Sequence, residues 1–460
     1  MIDMEIVLKP ALTRIAAAVL VVVLTGCAVG SPYQRPDVDL PQKWDDAPAA
    51  PAAANVDSTW WKHFGSAELD GLIERALAAN QDLAAATSRI AQARAAAATV
   101  NANLYPTVGV SASAGRSRAD GATSDTDSAR ISIGYEADLW GGLAAQRAGA
   151  AASVAASTFN RDAAALVLQA DVAANYFQAL ALKDRIAIAN KSLAAAREVL
   201  KLVELRYEQG ATSGLEVSQQ RTAVLNMEAQ VPQLEQDLRT TETALAVLLG
   251  EQPQGFHVAG DGLAGFAAPQ IAAWQPPALL ERRPDVRAAE AQLAAAQADV
   301  NAARAALYPQ LSLSLGSVAS GVFSGGSSVV STLAASLAQT LFDGGARQGQ
   351  VNLTRARQQE LVAQYLQSVL DALKEVQDGM GAVQTAQARD TLLERALQEA
   401  REAYRIANAR YAAGSSDLLE LLDSQRTLLS AEDARISGRL NTLTGAVTLY
   451  RTLGGGWQAS

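Results

Sequence analysis

Two matching stretches decide the fold: Leu104-Tyr105-Pro106-Thr107-Val-Gly-Val-Ser-Ala-Ser-Ala114, and Leu307-Tyr308-Pro309-Gln310-Leu-Ser-Leu-Ser-Leu315. In each stretch a proline ends a helical segment, because proline cannot continue a helix. The residues that follow alternate between two classes, which is the period of a strand with two different faces. A polar loop comes next, over residues 115–129 and 316–328, and a second alternating segment returns. The sequence therefore predicts two β-hairpins, 107–136 and 310–341.

The two stretches belong to a longer repeat with an offset of about 200 residues. Further landmarks precede and follow each hairpin in the same order. The period is far too long for a solenoid, so it indicates that a whole structural half is duplicated. The paired landmarks are Asp82 with Asp285, Asp138-Leu-Trp-Gly-Gly142 with Leu341-Phe-Asp-Gly-Gly345, Arg206-Tyr207-Glu-Gln-Gly210 with Arg410-Tyr411-Ala-Ala-Gly414, and Glu216 with Glu420.

Each hairpin leads into a long helical segment. No proline lies between Pro106 and Pro232 or after Pro309, and roughly a fifth of the chain is alanine, the best helix former. Apolar residues before each Arg-Tyr landmark alternate spacings of four and three, which is typical of coiled-coil packing. The glycine after each landmark is expected to turn the chain. The predicted helices are 142–207 and 346–411, on the order of 100 Å each, and returning helices 215–249, kinked at Pro232, and 418–453.

The composition argues against several classes of function. The formal net charge of −9 and the pI of about 5.0 disfavour nucleic acid, which is bound by basic surfaces. One cysteine and two histidines exclude a disulfide framework and argue against a metal site. Residues 260–265 match G-x-G-x-x-G literally, but they open no helix, so we expect no dinucleotide there. The sequence contains no catalytic constellation, and we expect neither an enzyme nor a cofactor.

The N-terminus indicates the compartment. Lys9 and Arg14 precede the apolar run 15–24, which is too short to span a bilayer and has the length of a signal-peptide core. The run is followed by Leu24-Thr25-Gly26-Cys27, which resembles a bacterial lipobox. The resemblance implies that Cys27 carries lipid after removal of residues 1–26, and that Ala28 suits delivery to the outer membrane. The alternative is an ordinary signal peptide with an incidental cysteine.

The predicted strands imply an oligomer if they cross a membrane. In lipid every backbone amide must be paired, so a spanning sheet must close on itself. Outer-membrane barrels need at least about 8 strands, and this chain supplies four. Several chains would then share one barrel, with the helices extending from it. The alternative is a soluble β-sandwich patch on a helical protein.

Nearly all of the mature chain resembles the TolC-like outer-membrane efflux channel family, in its lipoprotein (NodT/OprM-type) branch. The resemblance implies a mainly α fold with a small membrane β part: a homotrimer with a long α-helical barrel and a 12-stranded β-barrel. The residues that carry it are Cys27-Ala-Val-Gly-Ser-Pro-Tyr-Gln-Arg-Pro36, Trp60-Trp61-Lys-His-Phe64, Gln230-Val-Pro-Gln-Leu-Glu235, Ala246-Val-Leu-Leu-Gly250 and, most specifically, Leu280-Glu-Arg-Arg-Pro-Asp-Val-Arg-Ala-Ala-Glu290.

The resemblance also implies a function and a set of partners. The chain would be the exit duct of a tripartite efflux pump in the outer membrane of a Gram-negative bacterium, lipid-anchored and extending into the periplasm. A periplasmic adaptor would connect it to an inner-membrane transporter, commonly a proton-driven one. The alternative from a different class is a lipid-anchored periplasmic coiled-coil scaffold without a pore.

The expected organisation follows the repeat. A signal peptide precedes an extended N-terminal segment, and an equatorial connector separates the two halves. The expected boundaries are 1–26 for the signal peptide, 27–65 for the N-terminal segment, 66–250 for the first half, 251–282 for the connector, 283–453 for the second half and 454–460 for the tail.

The resemblance places the gate of the channel at the two glycine turns. Asp423, Glu420 and Glu216 would form acidic rings at a narrow entrance, where carboxylates favour cations. The alternative is that these acids simply suit a helix N-terminus. The neighbouring residues would restrain the closed state or contact the adaptor, or else serve coiled-coil packing: Arg206, Tyr207, Gly210, Arg410, Tyr411 and Gly414.

Overall fold

The computed structural model describes residues 29–44, 56–271, 275–321 and 328–458. The predicted signal peptide and Cys27 lie outside the described residues. Within the described ranges the chain forms two compact units, each assembled from three segments. One unit comprises 29–38, 88–159 and 287–368, and the other comprises 39–87, 160–286 and 369–458.

The first half begins after a short 3₁₀ helix, Trp60–Phe64. Polar side chains set the starts of its first two helices. Ser66 Oγ accepts the N–H of Leu69 at 3.2 Å, and Asn80 Oδ1 accepts the N–H of Leu83 at 2.9 Å, as N-cap residues do. The elements are α1 (Ala67–Ala79), α2 (Gln81–Ala102), β1 (Thr107–Ala119), β2 (Ala122–Ala137), α3 (Gly142–Glu208) and α4 (Gly214–Leu248).

The second half repeats the order of these elements, and its three long helices have the same lengths as those of the first half. Helices α3 and α7 have 67 residues each, α4 and α8 have 35, and α2 and α6 have 22. The predicted duplication is therefore confirmed, and α4 continues through Pro232 as one helix. The elements are α5 (Leu279–Arg282), α6 (Pro284–Ala305), β3 (Gln310–Ser320), β4 (Ser328–Ala338), α7 (Ala346–Ala412) and α8 (Leu418–Thr452).

The first hairpin corrects the predicted polar loop 115–129. Strand β1 continues to Ala119 and β2 starts at Ala122, so only Asp120 and Gly121 form the turn. Both have positive φ, 48° and 84°, as a two-residue type I′ hairpin requires. The prediction was wrong because polar composition marks exposure, whereas the turn itself needs only two suitable residues. The second loop is likewise shorter than predicted, since β3 extends to Ser320.

All four strands form one antiparallel sheet in the order β1-β2-β3-β4. The central pair, β2 with β3, joins the two halves, and Gly134 lies opposite Ser314. The second hairpin ends earlier than the predicted residue 341. Gln310 is the first residue of β3 and pairs with Ala338, so residues after Ala338 have no neighbour in the described sheet.

The sheet has one apolar and one polar face. Residues that alternate along a strand point to opposite faces, and over most of the sheet the pairing sets apolar residues on one face and small polar residues on the other. Near the turn of the first hairpin the pattern ends, because Arg116 and Asp125 lie on the apolar side. The polar face includes serines such as Ser113, whose Oγ lies 2.9 Å from Ser128 Oγ. The apolar face includes Val108, Val110, Ile131, Ile133, Tyr135, Leu311, Leu313, Leu315, Leu333 and Leu337.

The other unit has an aromatic core. The ring of Trp60 stacks on that of Tyr450 with centroids 5.1 Å apart, and Phe64 packs against Phe177 at 5.1 Å. All four side chains are buried. This cluster ties the segment before α1 to the last turns of α8, because Trp60 and Phe64 belong to the first and Tyr450 to the second.

By length and composition, α3 is the one described helix that could cross a membrane. Within the structure, 61% of its most apolar window is buried. A buried core helix passes the same test of length and composition, so α3 carries no argument for a membrane span.

Candidate functional site at the two helical turns

The first turn, residues 209–213, joins α3 to α4. Gly210 has φ 73°, a left-handed conformation that glycine adopts without a Cβ clash. Its N–H donates to Tyr207 O at 2.9 Å, and the N–H of Ala211 donates to Arg206 O at 2.8 Å. These two bonds form a Schellman motif, which satisfies the carbonyls at the end of a helix. Gly210 therefore turns the chain at the end of α3, as predicted.

The second turn, residues 413–417, joins α7 to α8 with the same geometry. Gly414 has φ 72°, and its N–H donates to Tyr411 O at 3.0 Å. The N–H of Ser415 donates to Arg410 O at 2.9 Å, and the Ser415 hydroxyl donates to the same oxygen at 3.0 Å. The two turns therefore share one backbone conformation.

Each returning helix starts with a polar cap and an acid three residues later. Ser213 Oγ accepts the N–H of Glu216 at 3.4 Å, and Asp417 Oδ1 accepts the N–H of Glu420 at 2.9 Å. This is the spacing of a capping box, and an acid there also faces the positive end of the helix dipole. Glu216 and Glu420 therefore have a structural role at the helix starts, whatever they contribute to a gate.

One arginine links the two turns. Arg206, at the end of α3, donates from Nη2 to Tyr411 O at 2.9 Å and to Ala412 O at 3.0 Å. Its guanidinium also lies 4.7 Å from the centroid of the Tyr411 ring. The contact combines charge-assisted hydrogen bonds to the C-terminal carbonyls of α7 with a cation–π interaction. Two of the predicted residues, Arg206 and Tyr411, are thus brought together.

Tyr411 is the buried centre of this contact, with 2% of its surface exposed. Burial raises the pKa of its phenol, the charge of Glu216 raises it further, and Arg206 lowers it. The hydroxyl has no hydrogen-bond partner among the described residues. Tyr411 packs in an apolar cluster with Val199, Val203, Ala407, Leu418 and Leu421.

The corresponding residues of the other turn are placed differently. Tyr207 is 53% exposed. Arg410 does not cross to the first turn but pairs with Glu420 of its own turn, with Nη1 and Oε1 2.8 Å apart. The sequence landmarks therefore match in position and differ in contacts.

Asp423 lies on the exposed surface of α8, one turn beyond Glu420. Its carboxylate pairs with Arg426 Nη2 at 2.8 Å. Around the two turns, residues 204–221 and 410–426 contain six acidic residues and four arginines, which leaves a net charge of −2 per chain. Two of these arginines, Arg221 and Arg426, were not among the predicted site residues, and they offset part of the predicted acidic charge.

Two buried glutamines near the turns were missed by the sequence reasoning. Gln220 donates from Nε2 to Ala196 O at 2.8 Å, which ties α4 to α3. Its Oε1 and the Nε2 of Gln425 are buried without a hydrogen-bond partner among the described residues. The sequence feature that could have identified them is a glutamine at a position where the helix otherwise carries apolar residues facing its neighbours. Gln425 also lines a groove of about 570 Å³ between α4 and α8.

The literal G-x-G-x-x-G match has a structural role in this protein. Glu68 accepts the N–H groups of Ala259 at 2.6 Å and Gly260 at 2.9 Å. Asp184 accepts the N–H of Leu263 at 2.8 Å. A Cβ on Gly260 would lie 2.9 Å from Leu180 Cδ2, so the glycine permits close packing. Carboxylates of the chain itself thus accept the N–H groups of Gly260 and Leu263.

The most specific stretch of the resemblance surrounds a buried arginine. Arg283 donates to Thr452 O at 3.1 Å and to Glu375 Oε2 at 2.9 Å. It also pairs with Asp285 at 2.6 Å. The arginine therefore connects the start of α6 to α7 and to the last turn of α8. These contacts give the stretch 280–290 a structural role.

A model of the family described as "Outer membrane efflux protein" matches the chain twice, over residues 72–251 and 276–455. The two matches correspond to the two halves of the fold. The chain belongs to the outer membrane efflux protein family.

Relatives of this efflux protein match over almost its whole length. The pyoverdine export outer membrane protein OpmQ of Pseudomonas putida strain KT2440 is 39% identical, over 95% of this chain and 96% of its own. The outer membrane protein OprJ of Pseudomonas aeruginosa is 30% identical, over 98% and 97%. A solved structure of the outer-membrane channel OprN superimposes with a TM-score of 0.87 at 31% identity, over 94% of this chain and 100% of its own.

These comparisons confirm the predicted family, fold class and role. The efflux protein is an outer-membrane channel component with two similar halves and a four-stranded sheet. The residues at the turns, the lipidated cysteine and the trimer stay predictions.

Proposed function

We propose that three copies of this chain form the exit duct of a tripartite efflux pump. The observation that carries the proposal is the four-stranded sheet with one apolar and one polar face. A barrel wall needs one face toward lipid and one toward water. A periplasmic scaffold would have no need of such a sheet in both halves.

The trimer is supported by the count and the edges of the strands. Four strands cannot close, and β1 and β4 are edge strands of the described sheet. An open edge is not tolerated in lipid because its backbone groups would be unpaired. Three chains would supply twelve strands, above the minimum of about 8 for an outer-membrane barrel.

We also propose a lipid anchor on Cys27. The support is the place of the residues that follow it. The N–H of Val29 donates to Trp140 O at 3.2 Å, immediately beyond the end of β2. Asn301 Nδ2 donates to Ser31 O at 2.9 Å, and Arg35 forms two hydrogen bonds with Glu290 at 2.7 and 2.8 Å. An acyl chain on Cys27 would therefore start close to the base of the sheet.

The two turns are proposed as the gate. The Arg206–Tyr411 contact would hold the turns together in the closed state, and opening would break it. The acidic residues Asp423, Glu420 and Glu216 would leave a net negative entrance that favours cations over anions. The same ends of the helices would meet a periplasmic adaptor, which connects the duct to a proton-driven inner-membrane transporter. We expect no enzymatic activity from the duct itself.

Single-channel recording in planar bilayers tests the proposal. We expect small currents from the wild-type oligomer and larger ones from an Arg206→Ala variant, because that variant loses the contact between the turns. A folded oligomer that conducts in neither form would overturn the duct and favour the scaffold. Acyl labelling of wild type against Cys27→Ser tests the anchor, and label that persists in the variant would contradict it.

The relative named for pyoverdine export suggests the first cargo to test. Expression of this chain in a strain that lacks its own pyoverdine export channel should restore secretion if the cargo and partners are shared. Failure there, with conductance intact, would redirect the search to other small molecules and leave the duct standing.

A further inference from the structure

The polar face of the four-stranded sheet carries very little charge. The residues that alternate onto this face are almost all small and neutral, with serine the most frequent. Within the described strands, only Arg130 and Glu136 on this face are charged, and both belong to β2. They are six residues apart, which is about 20 Å along a strand, so they cannot form an ion pair. Arg130 is therefore an isolated cation on the polar face.

Uncharged side chains surround Arg130. Ser111 of β1 and Val318 of β3 lie directly opposite it. Ser128 and Ser132 are its neighbours on the same face of β2. Arg130 is exposed, and its guanidinium has no hydrogen bond or ion pair among the described residues. Its positive charge is thus not compensated by the sheet and is available to a solute.

Another arginine of the same hairpin shows the contrast. Arg116 of β1 forms two hydrogen bonds with Asp125 of β2, at 2.6 and 2.8 Å. Both residues lie on the other side of the sheet, on the face that carries Val108 and Val110. A bidentate pair of this kind satisfies the guanidinium and the carboxylate together. Arg116 is therefore compensated within the hairpin, whereas Arg130 is not.

We propose that Arg130 makes the lumen of the barrel selective for anionic groups of solutes, carboxylates among them. The inference rests on the proposed duct, because it requires the polar face to line a water-filled lumen. Three chains would place three guanidinium groups around that lumen. Rings of arginine or lysine favour anions in pores, and the planar guanidinium presents paired N–H donors that match a carboxylate.

Arg130 lies toward the end of the sheet that is remote from the adjoining helices. Val318, which faces it, is two residues before the end of β3, and β3 starts at Gln310, five residues after α6. A solute that leaves the proposed duct would therefore meet the arginines in the outer part of the barrel. The acidic residues proposed for the gate favour cations, so the barrel and the gate would discriminate between ions in opposite directions. For this reason each variant of Arg130 is compared with an unchanged gate.

The reversal potential under a KCl gradient tests the inference, in the wild type and in the Arg206→Ala background. Arg130→Ser introduces a residue that is already common on this face, so the fold should be retained. The permeability ratio of potassium to chloride should rise about two- to threefold in dilute salt, because in water a unit charge about 8 Å from a passing ion changes its local concentration by roughly a factor of two. Arg130→Lys should keep the wild-type ratio. The matched control is Arg116→Ser, which removes an arginine from the other face and should leave the ratio unchanged.

Chemical modification separates the charge of this residue from its shape. In Arg130→Cys, a cationic methanethiosulfonate reagent should restore the wild-type permeability ratio. An anionic methanethiosulfonate of similar size should instead shift the ratio further toward potassium. The wild-type chain, with Cys27 as its single cysteine, controls for reaction at that residue.

The outcomes distinguish this inference from the proposed function. An unchanged permeability ratio in Arg130→Ser, with conductance intact, would overturn the inference and leave the duct standing. Equal shifts from the two reagents, or a shift in Arg116→Ser as large as that in Arg130→Ser, would overturn it in the same way. Absence of conductance in the wild type and in every variant would instead refute the duct, and the inference with it.

Discussion

The two helical turns share a backbone and differ in what their side chains touch. Gly210 and Gly414 close the same Schellman motif, and both loops have five residues. Tyr411 is buried beneath Arg206, whereas Tyr207 is exposed. The duplication thus supplies two turns with the same backbone, and the difference between them is a contact from Arg206 to Tyr411 that has no counterpart from Arg410 to Tyr207.

The largest expected difference between the turns concerns their tyrosines. Tyr411→Ala should destabilise the helix ends by about 3–5 kcal/mol, as the loss of a buried aromatic does. Tyr207→Ala should change stability by no more than about 0.5 kcal/mol, because exposed sites contribute little. Hydrogen–deuterium exchange of the turn peptides in the detergent-solubilised protein measures both.

A conservative variant separates ring from hydroxyl. Tyr411→Phe should remain close to wild type, since the hydroxyl has no hydrogen-bond partner among the described residues. If Tyr411→Ala and Tyr207→Ala lose the same protection against hydrogen–deuterium exchange, the difference in burial between the two tyrosines does not contribute to stability.

The arginines should differ next. Arg206→Ala removes two hydrogen bonds and the contact with the Tyr411 ring, which we expect to shift closed-to-open balance by about 1–2 kcal/mol, roughly tenfold. Arg410→Ala removes only the pair with Glu420 within its own turn, so its open probability should stay close to wild type. Single-channel recording compares the open probability of the two variants. An equal rise in both would show that Arg206 is not the arginine that holds the turns together.

The glycines should behave alike. Gly210→Ala and Gly414→Ala each place a Cβ in a left-handed conformation, at a cost of about 1–2 kcal/mol. In neither turn does the added Cβ meet another atom within 4 Å, so the cost is that of the backbone alone. Thermal melting monitored by circular dichroism should show similar shifts. A markedly larger shift in one variant would show that the two backbones are not equivalent.

The sequence predicted most of the fold because the landmarks of the repeat are residues with strong local conformational preferences. Prolines end helices, glycines turn them, and alternation marks strands. It failed at the loop 115–129, where serines and aspartates lie in paired strands: Arg116 and Asp125 face each other across the hairpin at 2.6 Å. Polar residues on an exposed strand look like a loop in composition.

The site was predicted less completely than the fold. Position in the repeat placed Arg206 and Tyr411 near the turns, but their contact with each other depends on how the helices pack. The pairing of Asp423 with Arg426 was also absent from the prediction, although the spacing of three on a helix would have suggested it.

The smallest expected effect concerns Asp423 and its counterpart in the first half, Gln219. Asp423→Ala removes one negative charge per chain from an entrance that carries a net charge of −2 per chain around the turns, so cation preference should weaken. Gln219→Ala changes no charge and should leave selectivity unchanged. The reversal potential under a KCl gradient measures the preference in both variants.

Arg426 decides whether the effect is one of charge. Arg426→Ala leaves the Asp423 carboxylate without its partner at 2.8 Å, so cation preference should strengthen, opposite in sign to Asp423→Ala. Both shifts should be larger in dilute salt than in 1 M KCl, because the screening length falls from about 10 Å at 0.1 M to about 3 Å at 1 M. Shifts of the same sign, or shifts that do not depend on salt concentration, would place Asp423 away from the path of the ions.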